Sequence, residues 1–211
     1  MIDRAEAIAA AGSAACVALD ATHEAREITL PASRAAIRAC AVAIRAVQRN
    51  EFDAARVHIA EAKAELDRAT AATEGHGAVR HAGFLLDAQK EYAEANLTLA
   101  FVAGGPLPTA DDLGVEAPAY LNGMAEAASE LRRQVLDLLR AGHTDRAEEL
   151  FGVMDDVYAL LITVDYPDAV TGGLRRTTDA LRAVLERTRG DITNAAVAAR
   201  FQAAVERTQQ P

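Results

Sequence analysis

The sequence contains few aromatic residues and no tryptophan. Phe and Tyr together make up only 4% of the 211 residues. The strands of β-sheet proteins are enriched in aromatic and β-branched residues, whereas this chain is rich in alanine, the strongest helix former. The composition therefore predicts an all-α protein, and the length suffices for one domain with a substantial core.

Positive charge is also scarce. The net charge is -9, and Lys63 and Lys90 are the only lysines among the 22 basic residues. This balance argues against a protein that binds nucleic acid through bulk positive charge. A local arginine patch is still compatible with the sequence, because the guanidinium group suits bidentate contact with phosphate.

The two cysteines, Cys16 and Cys40, have neither a metal-binding spacing nor a disulfide framework. We therefore expect two ordinary, buried thiols. The N-terminus lacks the pattern of a signal peptide, and the sequence predicts no stretch of the apolar length of a membrane span. We expect a soluble, cytoplasmic protein with no membrane partner.

The apolar periodicity predicts about seven long helices joined by short connections, as in a single-domain antiparallel bundle over residues 1–211. Pro31 is expected to interrupt the first helix, since proline disfavours the helical conformation in the residue before it. Gly190 is expected to end the seventh. The predicted helices are residues 3–28, 33–49, 52–72, 79–102, 118–142, 144–163 and 168–189, with a short helix before Gly114 and a last one from Asp191.

Three acids share one stripe of the fourth predicted helix. Asp87, Glu91 and Glu94 are spaced by four and three residues, so they lie close together and repel. Glu126 and Glu130 form a similar pair, one turn apart, on the later helix 118–142. If the two stripes face each other, they can hold a divalent metal.

Three interpretations of these acids are open. Spacing alone favours a solvated polar face, which is ordinary for a surface helix. The second is a site for Mg²⁺ or Mn²⁺, hard cations that prefer oxygen ligands. The third, a ferritin-like di-iron centre, requires Glu-x-x-His motifs, and none of the five histidines follows a glutamate at that spacing.

Arg26, Arg34 and Arg38 lie near the first predicted interruption, and a broad helical face is shared by Arg34, Arg38, Arg45 and Arg49. Solvated arginines that pair with nearby acids are the ordinary interpretation. Phosphate contact is the functional one. With so few aromatic side chains for base stacking, contact with the nucleic-acid backbone would have to dominate.

Several short motifs together resemble the translin/TRAX family. Residues 89–95 (QKEYAEA) are similar to that family's Gln-Glu-Tyr-Val-Glu-Ala segment, with a change at Lys90. Further matches are residues 113–115 (LGV), 120–124 (YLNGM), 128–132 (ASELR) and 173–176 (GLRR). The resemblance spans most of the chain, and the acidic composition is similar to that of an archaeal member.

The resemblance implies an α-helical bundle that assembles into a hollow, octamer-like shell and binds RNA or single-stranded DNA. It also implies that the TRAX branch cleaves RNA with acidic residues and Mg²⁺, whereas the translin branch lacks most of those acids. The matching acids are Glu91, Glu94 and Glu126, the last standing where the TRAX branch carries Asp. Of the basic segment that the translin branch has before this helix, only Arg80 and His81 remain.

The main hypothesis is a homo-oligomeric, Mg²⁺-dependent (or Mn²⁺-dependent) endoribonuclease that acts on single-stranded RNA. Its metal ligands and catalytic groups would be Glu91, Glu94 and Glu126. Its phosphate contacts would be Arg26, Arg34, Arg38, Arg80 and Arg132. The alternatives are a non-catalytic RNA or single-stranded DNA binder of the translin type, and a scaffold whose acids are merely solvated.

Overall fold

The computed structural model describes residues 3–209, so residues 1, 2, 210 and 211 of the predicted domain lie outside the described part. Residues 3–209 form nine helices and no strand, which confirms the all-α prediction. Six helices are long and three have four residues each. They are α1 (Arg4–Gln48), α2 (Phe52–Ala71), α3 (Gly77–Arg80), α4 (Gly83–Ala103), α5 (Ala110–Leu113), α6 (Ala117–Arg140), α7 (Thr144–Leu161), α8 (Asp168–Thr171) and α9 (Leu174–Gln209).

Helix α6 is central to the packing, because it contacts α4, α7 and α9. On the other side of α4, helix α1 packs against both α4 and α2. Alanines line many of these contacts and have no exposed surface, so the helices approach closely. Larger side chains such as Leu85, Leu97 and Leu131 fill the remaining core. One consequence is that two acids of the stripe on α4, Glu91 and Glu94, lie between α1 and α6, whereas Asp87 is exposed.

Two predicted helix breaks are wrong. Helix α1 is continuous over 45 residues and contains Pro31. Proline removes the backbone donor that would bond the carbonyl of Glu27, but Pro31 is exposed, so water can solvate that carbonyl. Helix α9 likewise runs through Gly190, whose backbone is not in the left-handed conformation that ends a helix. Gly172 and Gly173, by contrast, do adopt positive φ and separate α8 from α9.

The N-terminal half of α1 projects from the bundle. Almost every side chain from residue 3 to residue 24 is exposed, including Cys16, so the expectation of two buried thiols holds only for Cys40. By length and composition, α1 also contains an 18-residue stretch apolar enough to cross a membrane, with a mean hydropathy of 1.2 and no buried part. The expectation that no such stretch exists is wrong, because repeated alanines supply hydropathy without bulk.

Candidate metal centre

The three acids singled out by the sequence meet in the fold. Glu91 and Glu94 lie on α4, Glu126 lies on α6, and one carboxylate oxygen of each lies within 4.8 Å of the other two. Oxygens bound to a single ion at about 2.1–2.4 Å are at most about 4.8 Å apart. The spacing of this triad (Glu91, Glu94 and Glu126) therefore fits a shared divalent cation.

The triad depends on an unusually close approach of α4 and α6 at Gly123. A Cβ atom added there would lie 2.6 Å from the carbonyl oxygen of Lys90, 2.9 Å from the Cβ atom of Ala93 and 3.0 Å from the backbone nitrogen of Glu94. No L-side chain fits that space without moving a helix. Because Glu126 follows Gly123 by one turn, the contact brings its carboxylate to the acids of α4.

Burial makes the triad electrostatically costly without a cation. Glu94 is only 7% exposed, and burial, together with the charges of Glu91, Glu126 and Glu130, raises its pKa from 4.5 to about 9. Burial also raises the pKa of Glu91, although Lys90 opposes that rise. Glu94 is therefore protonated at neutral pH in the metal-free protein, and a bound cation would favour its ionised form.

The ammonium group of Lys90 reaches the triad directly. Its Nζ atom donates a hydrogen bond to one carboxylate oxygen of Glu126 at 2.8 Å, forms an ion pair with the other oxygen at 2.7 Å, and lies 3.5 Å from an oxygen of Glu91. Burial lowers the pKa of Lys90, but its hydrogen bond to Glu126 and the surrounding carboxylates outweigh burial and raise it overall. Lys90 thus partly neutralises the centre.

Helix α1 forms the third wall of the centre. The buried thiol of Cys40 is close enough that burial, followed by the charges of Glu91 and Glu94, raises its pKa to about 12. Further along α1, the side-chain amide of Gln48 donates to a carboxylate oxygen of Glu130. The fourth acid is therefore hydrogen-bonded to α1 and contributes charge to the triad from its edge.

The donor set identifies the kind of cation that fits. The cluster consists of three glutamates, and the described residues add no histidine or cysteine ligand to it. Carboxylate oxygens suit Mg²⁺ and Mn²⁺, whereas a di-iron site of the ferritin type would need histidines. The prediction that the acids of two helices can converge on a metal site is thus supported over the solvated face for these three residues.

Comparison with known proteins gives the family. The uncharacterized protein MJ0175 of Methanocaldococcus jannaschii is 31% identical over 172 residues, which cover 79% of this chain and 74% of the relative. The structure of an AfC3PO–duplex RNA complex matches with a TM-score of 0.82 and 28% identity, covering 88% of this chain and 96% of that one. AfC3PO is a translin/TRAX family member. The chain belongs to the translin/TRAX family.

Two further comparisons agree on the translin-like fold. The crystal structure of AfC3PO alone gives a TM-score of 0.81 at 28% identity and covers 88% of this chain and 97% of that one. Apo-NeC3PO, another translin/TRAX member, gives 0.74 at 16% identity, with 92% and 98% covered, and shows the fold alone. No protein-family model matches the chain.

The arginines proposed from the translin/TRAX resemblance fall into two groups. Arg34 and Arg38 are exposed on α1, and with Arg45 they project within about 40° of one another around that helix. Gln48, which bonds Glu130, lies about 40° from Arg34 on the same helical projection. This exposed face of α1 therefore borders Glu130, whereas Cys40, whose thiol lies near Glu91 and Glu94, is about 120–160° away from Arg34 and Arg38 on the same projection.

The remaining arginines are placed differently. Arg26 pairs with Glu27 at 3.0 Å on the surface, and Arg80 is exposed at the end of α3. Arg132 is half-buried and pairs with Asp191 of α9 at 2.7 Å. As the structure stands, Arg132 fastens α6 to α9, and contact with phosphate would require it to leave that pair.

Two residues of the centre were not found from the sequence. Lys90 stood out only as a departure from the family motif, with no indication that it reaches Glu126 on another helix. Gly123 did carry a usable signal, since an isolated glycine inside a helix costs stability and often marks a close packing contact.

Proposed function

We propose that this protein is an RNA-binding, metal-dependent endoribonuclease of the translin/TRAX type. The observation that carries the proposal is the convergence of Glu91, Glu94 and Glu126 from two helices onto a space that fits one hard cation. The family membership supports RNA as the substrate class, because AfC3PO has been solved in complex with duplex RNA.

Each part of the site has a role that its position supports. Glu91, Glu94 and Glu126 would hold the cation. Bound there, Mg²⁺ or Mn²⁺ would supply Lewis-acid activation of water and neutralise charge on the phosphodiester. The exposed arginines of α1, Arg34 and Arg38, would contact the RNA backbone outside the centre.

A cleft next to the centre gives the substrate a place to lie. It has a volume of about 630 Å³ and is bounded by α4, α6 and the start of α9. Lys90 and Glu126 form the wall that it shares with the triad, and Arg176 and Thr177 lie on the wall formed by α9. A phosphate group in this cleft would therefore meet cationic groups beside the carboxylates.

Cleavage of labelled RNA tests the catalytic proposal. Single-stranded RNA and the matching duplex are incubated with wild type, Glu126→Gln and Glu148→Gln, the last being an exposed glutamate of α7 that serves as control. We expect wild type and the control to cleave single-stranded RNA with Mg²⁺ and not with EDTA, and Glu126→Gln to be inactive. Equal cleavage by all three proteins, or cleavage that persists in EDTA, would refute the mechanism.

A binding function without catalysis is the second candidate, and the ion pair between Lys90 and Glu126 favours it. That pair already neutralises one ligand of the triad in the metal-free protein. A protein of this kind would shift RNA in a gel and leave it intact. In either case the logarithm of affinity should fall linearly with the logarithm of salt, and Arg34→Gln and Arg38→Gln should each reduce that slope by about one.

We also propose that the protein forms a homo-oligomer, with the octamer-like shell as the specific expectation. Large apolar side chains are exposed at two projecting helix ends: Ile8, Val17 and Leu19 on α1, and Phe201 on α9. Such patches commonly mark protein–protein contacts. Light scattering should give a mass several times the 22.3 kDa of one chain, and Leu19→Glu should reduce it. A monomeric wild type would contradict the proposal.

A further inference from the structure

Lys90 is the counter-ion of one of the candidate metal ligands, Glu126. Its ammonium group caps both carboxylate oxygens of Glu126 at 2.7 and 2.8 Å, and it also lies 3.5 Å from Glu91. Its side chain is only 24% exposed, so the surrounding helices hold it in this position. The triad therefore has its own counter-ion, supplied by the residue directly before Glu91.

This arrangement cannot persist when a divalent cation binds to the triad. The Nζ atom of Lys90 lies within 2.8 Å of both oxygens of Glu126, so it occupies the space in front of this carboxylate that a shared cation would enter. The two positive charges would also lie a few ångströms apart in a half-buried place, where charges interact more strongly than in water. Metal binding thus requires the ammonium group to move away from Glu126.

The cleft beside the centre offers the displaced ammonium group a new partner. Lys90 lines this cleft together with Asp87, which is exposed and lies three residues earlier on α4. Residues three apart on a helix are neighbours, so the lysine can reach that carboxylate by changing its side-chain conformation. Asp87 forms no ion pair within the part of the chain that the structure describes, and it is thus available.

We propose that Lys90 is an exchangeable internal cation, bound to Glu126 in the metal-free protein and to Asp87 when a divalent metal occupies the triad. The proposal rests on the metal centre of the proposed function and adds to it how the metal gains access. It also assigns a role to Asp87, which is the one member of the acidic stripe of α4 outside the triad. The exchange moves the ammonium group of Lys90 away from the carboxylates of the triad only when metal is bound.

Binding of Mn²⁺ without RNA tests the exchange independently of activity. Free Mn²⁺ is followed by electron paramagnetic resonance during titration of wild type, Lys90→Met, Asp87→Asn and the double variant. We expect Lys90→Met to bind Mn²⁺ at least tenfold more tightly than wild type, because no ammonium group competes. Asp87→Asn should bind several-fold more weakly, and this loss should shrink when Lys90 is already replaced.

The chain offers a matched control in its only other lysine. Lys63 pairs with Asp67 on α2, so Lys63→Met removes the same charge and leaves the triad intact. Its Mn²⁺ affinity should equal that of wild type. Lys90→Gln serves as a second variant, and circular dichroism in EDTA checks that each protein is folded.

The outcomes separate the exchange from the metal centre. If Glu126→Gln abolishes Mn²⁺ binding but neither Lys90→Met nor Lys90→Gln binds Mn²⁺ more tightly than wild type, the exchange is refuted. The metal centre itself would then still be supported. If Asp87→Asn weakens Mn²⁺ binding by the same factor in wild type and in Lys90→Met, Asp87 is not the second partner of Lys90. If neither wild type nor Lys90→Met binds Mn²⁺, both the centre and the exchange are wrong.

Discussion

Replacing Glu94 by glutamine is expected to change how the stability of the metal-free protein depends on pH. The pKa of Glu94 is raised from 4.5 to about 9 by burial and then by Glu91, Glu126 and Glu130. At pH values between 4.5 and 9, Glu94 carries a proton in the folded protein that it has released in the unfolded chain. This stabilising contribution is complete below pH 4.5 and is lost as the pH rises towards 9.

The expected size follows from proton linkage. One proton released on unfolding lowers the free energy of unfolding by about 1.4 kcal/mol per pH unit. From pH 6 to pH 8, the free energy of unfolding should therefore fall by about 2.7 kcal/mol because of Glu94. Glutamine has nearly the shape of protonated glutamate and no proton to release, so Glu94→Gln should remove this part of the slope and be more stable than wild type at pH 8.

Urea unfolding in EDTA at pH 6, 7 and 8, at one protein concentration, measures the slope. Glu148→Gln, an exposed substitution on α7, should retain the wild-type slope. Saturating Mg²⁺ should flatten the curve of wild type, since bound metal keeps Glu94 ionised, and should not affect Glu94→Gln. Identical slopes for wild type and Glu94→Gln in EDTA would refute both the burial of this carboxyl group and its coupling to the triad.

Three other predictions follow from individual contacts. Gly123→Ala should lower the free energy of unfolding by about 1–3 kcal/mol through overpacking and should weaken Mn²⁺ binding. The control Gly152→Ala, where a new Cβ atom meets nothing within 4 Å, should be neutral or stabilising by about 0.5–1 kcal/mol. Equal effects of the two substitutions in denaturant titrations would contradict the close approach of α4 and α6 at Gly123. In a Cys16→Ser background, the thiol of Cys40 should react with a thiol reagent only after unfolding, because it is buried and its pKa is raised to about 12. Arg132→Met should lower the free energy of unfolding by about 1–2 kcal/mol through loss of its ion pair with Asp191 and its hydrogen bond to Thr188. An unchanged midpoint in urea would refute a stabilising role for these contacts with α9.

Most of the helical architecture could be predicted from local signals. Alanine content, apolar periodicity and the Gly-Pro segment after α4 indicate helices and their connections without any tertiary information. Pro31 and Gly190 misled the prediction because their effects depend on surroundings. At an exposed proline, water can solvate the carbonyl that loses its hydrogen bond, so a long helix can continue. A glycine ends a helix where its backbone turns left-handed, and that of Gly190 does not.

The candidate site was predictable only in part. Spacing placed Glu91 and Glu94 on one stripe, but spacing alone favoured a solvated face; the family resemblance linked them to Glu126. The contact of Lys90 with Glu126 joins two helices whose relative rotation is set by core packing, which no local pattern reports. Likewise, no local pattern predicts that Arg132 pairs with Asp191 of α9.

The tight crossing at Gly123 has a consequence for protein engineering. Copying three glutamates onto another pair of packed helices would not reproduce the geometry, since ordinary side chains would keep the two backbones too widely separated for the carboxylates to share an ion. Glycine has no Cβ atom, and this allows the backbones of the two helices to come into direct contact. A graft of this centre would have to carry the glycine, and the small residue facing it, along with the acids.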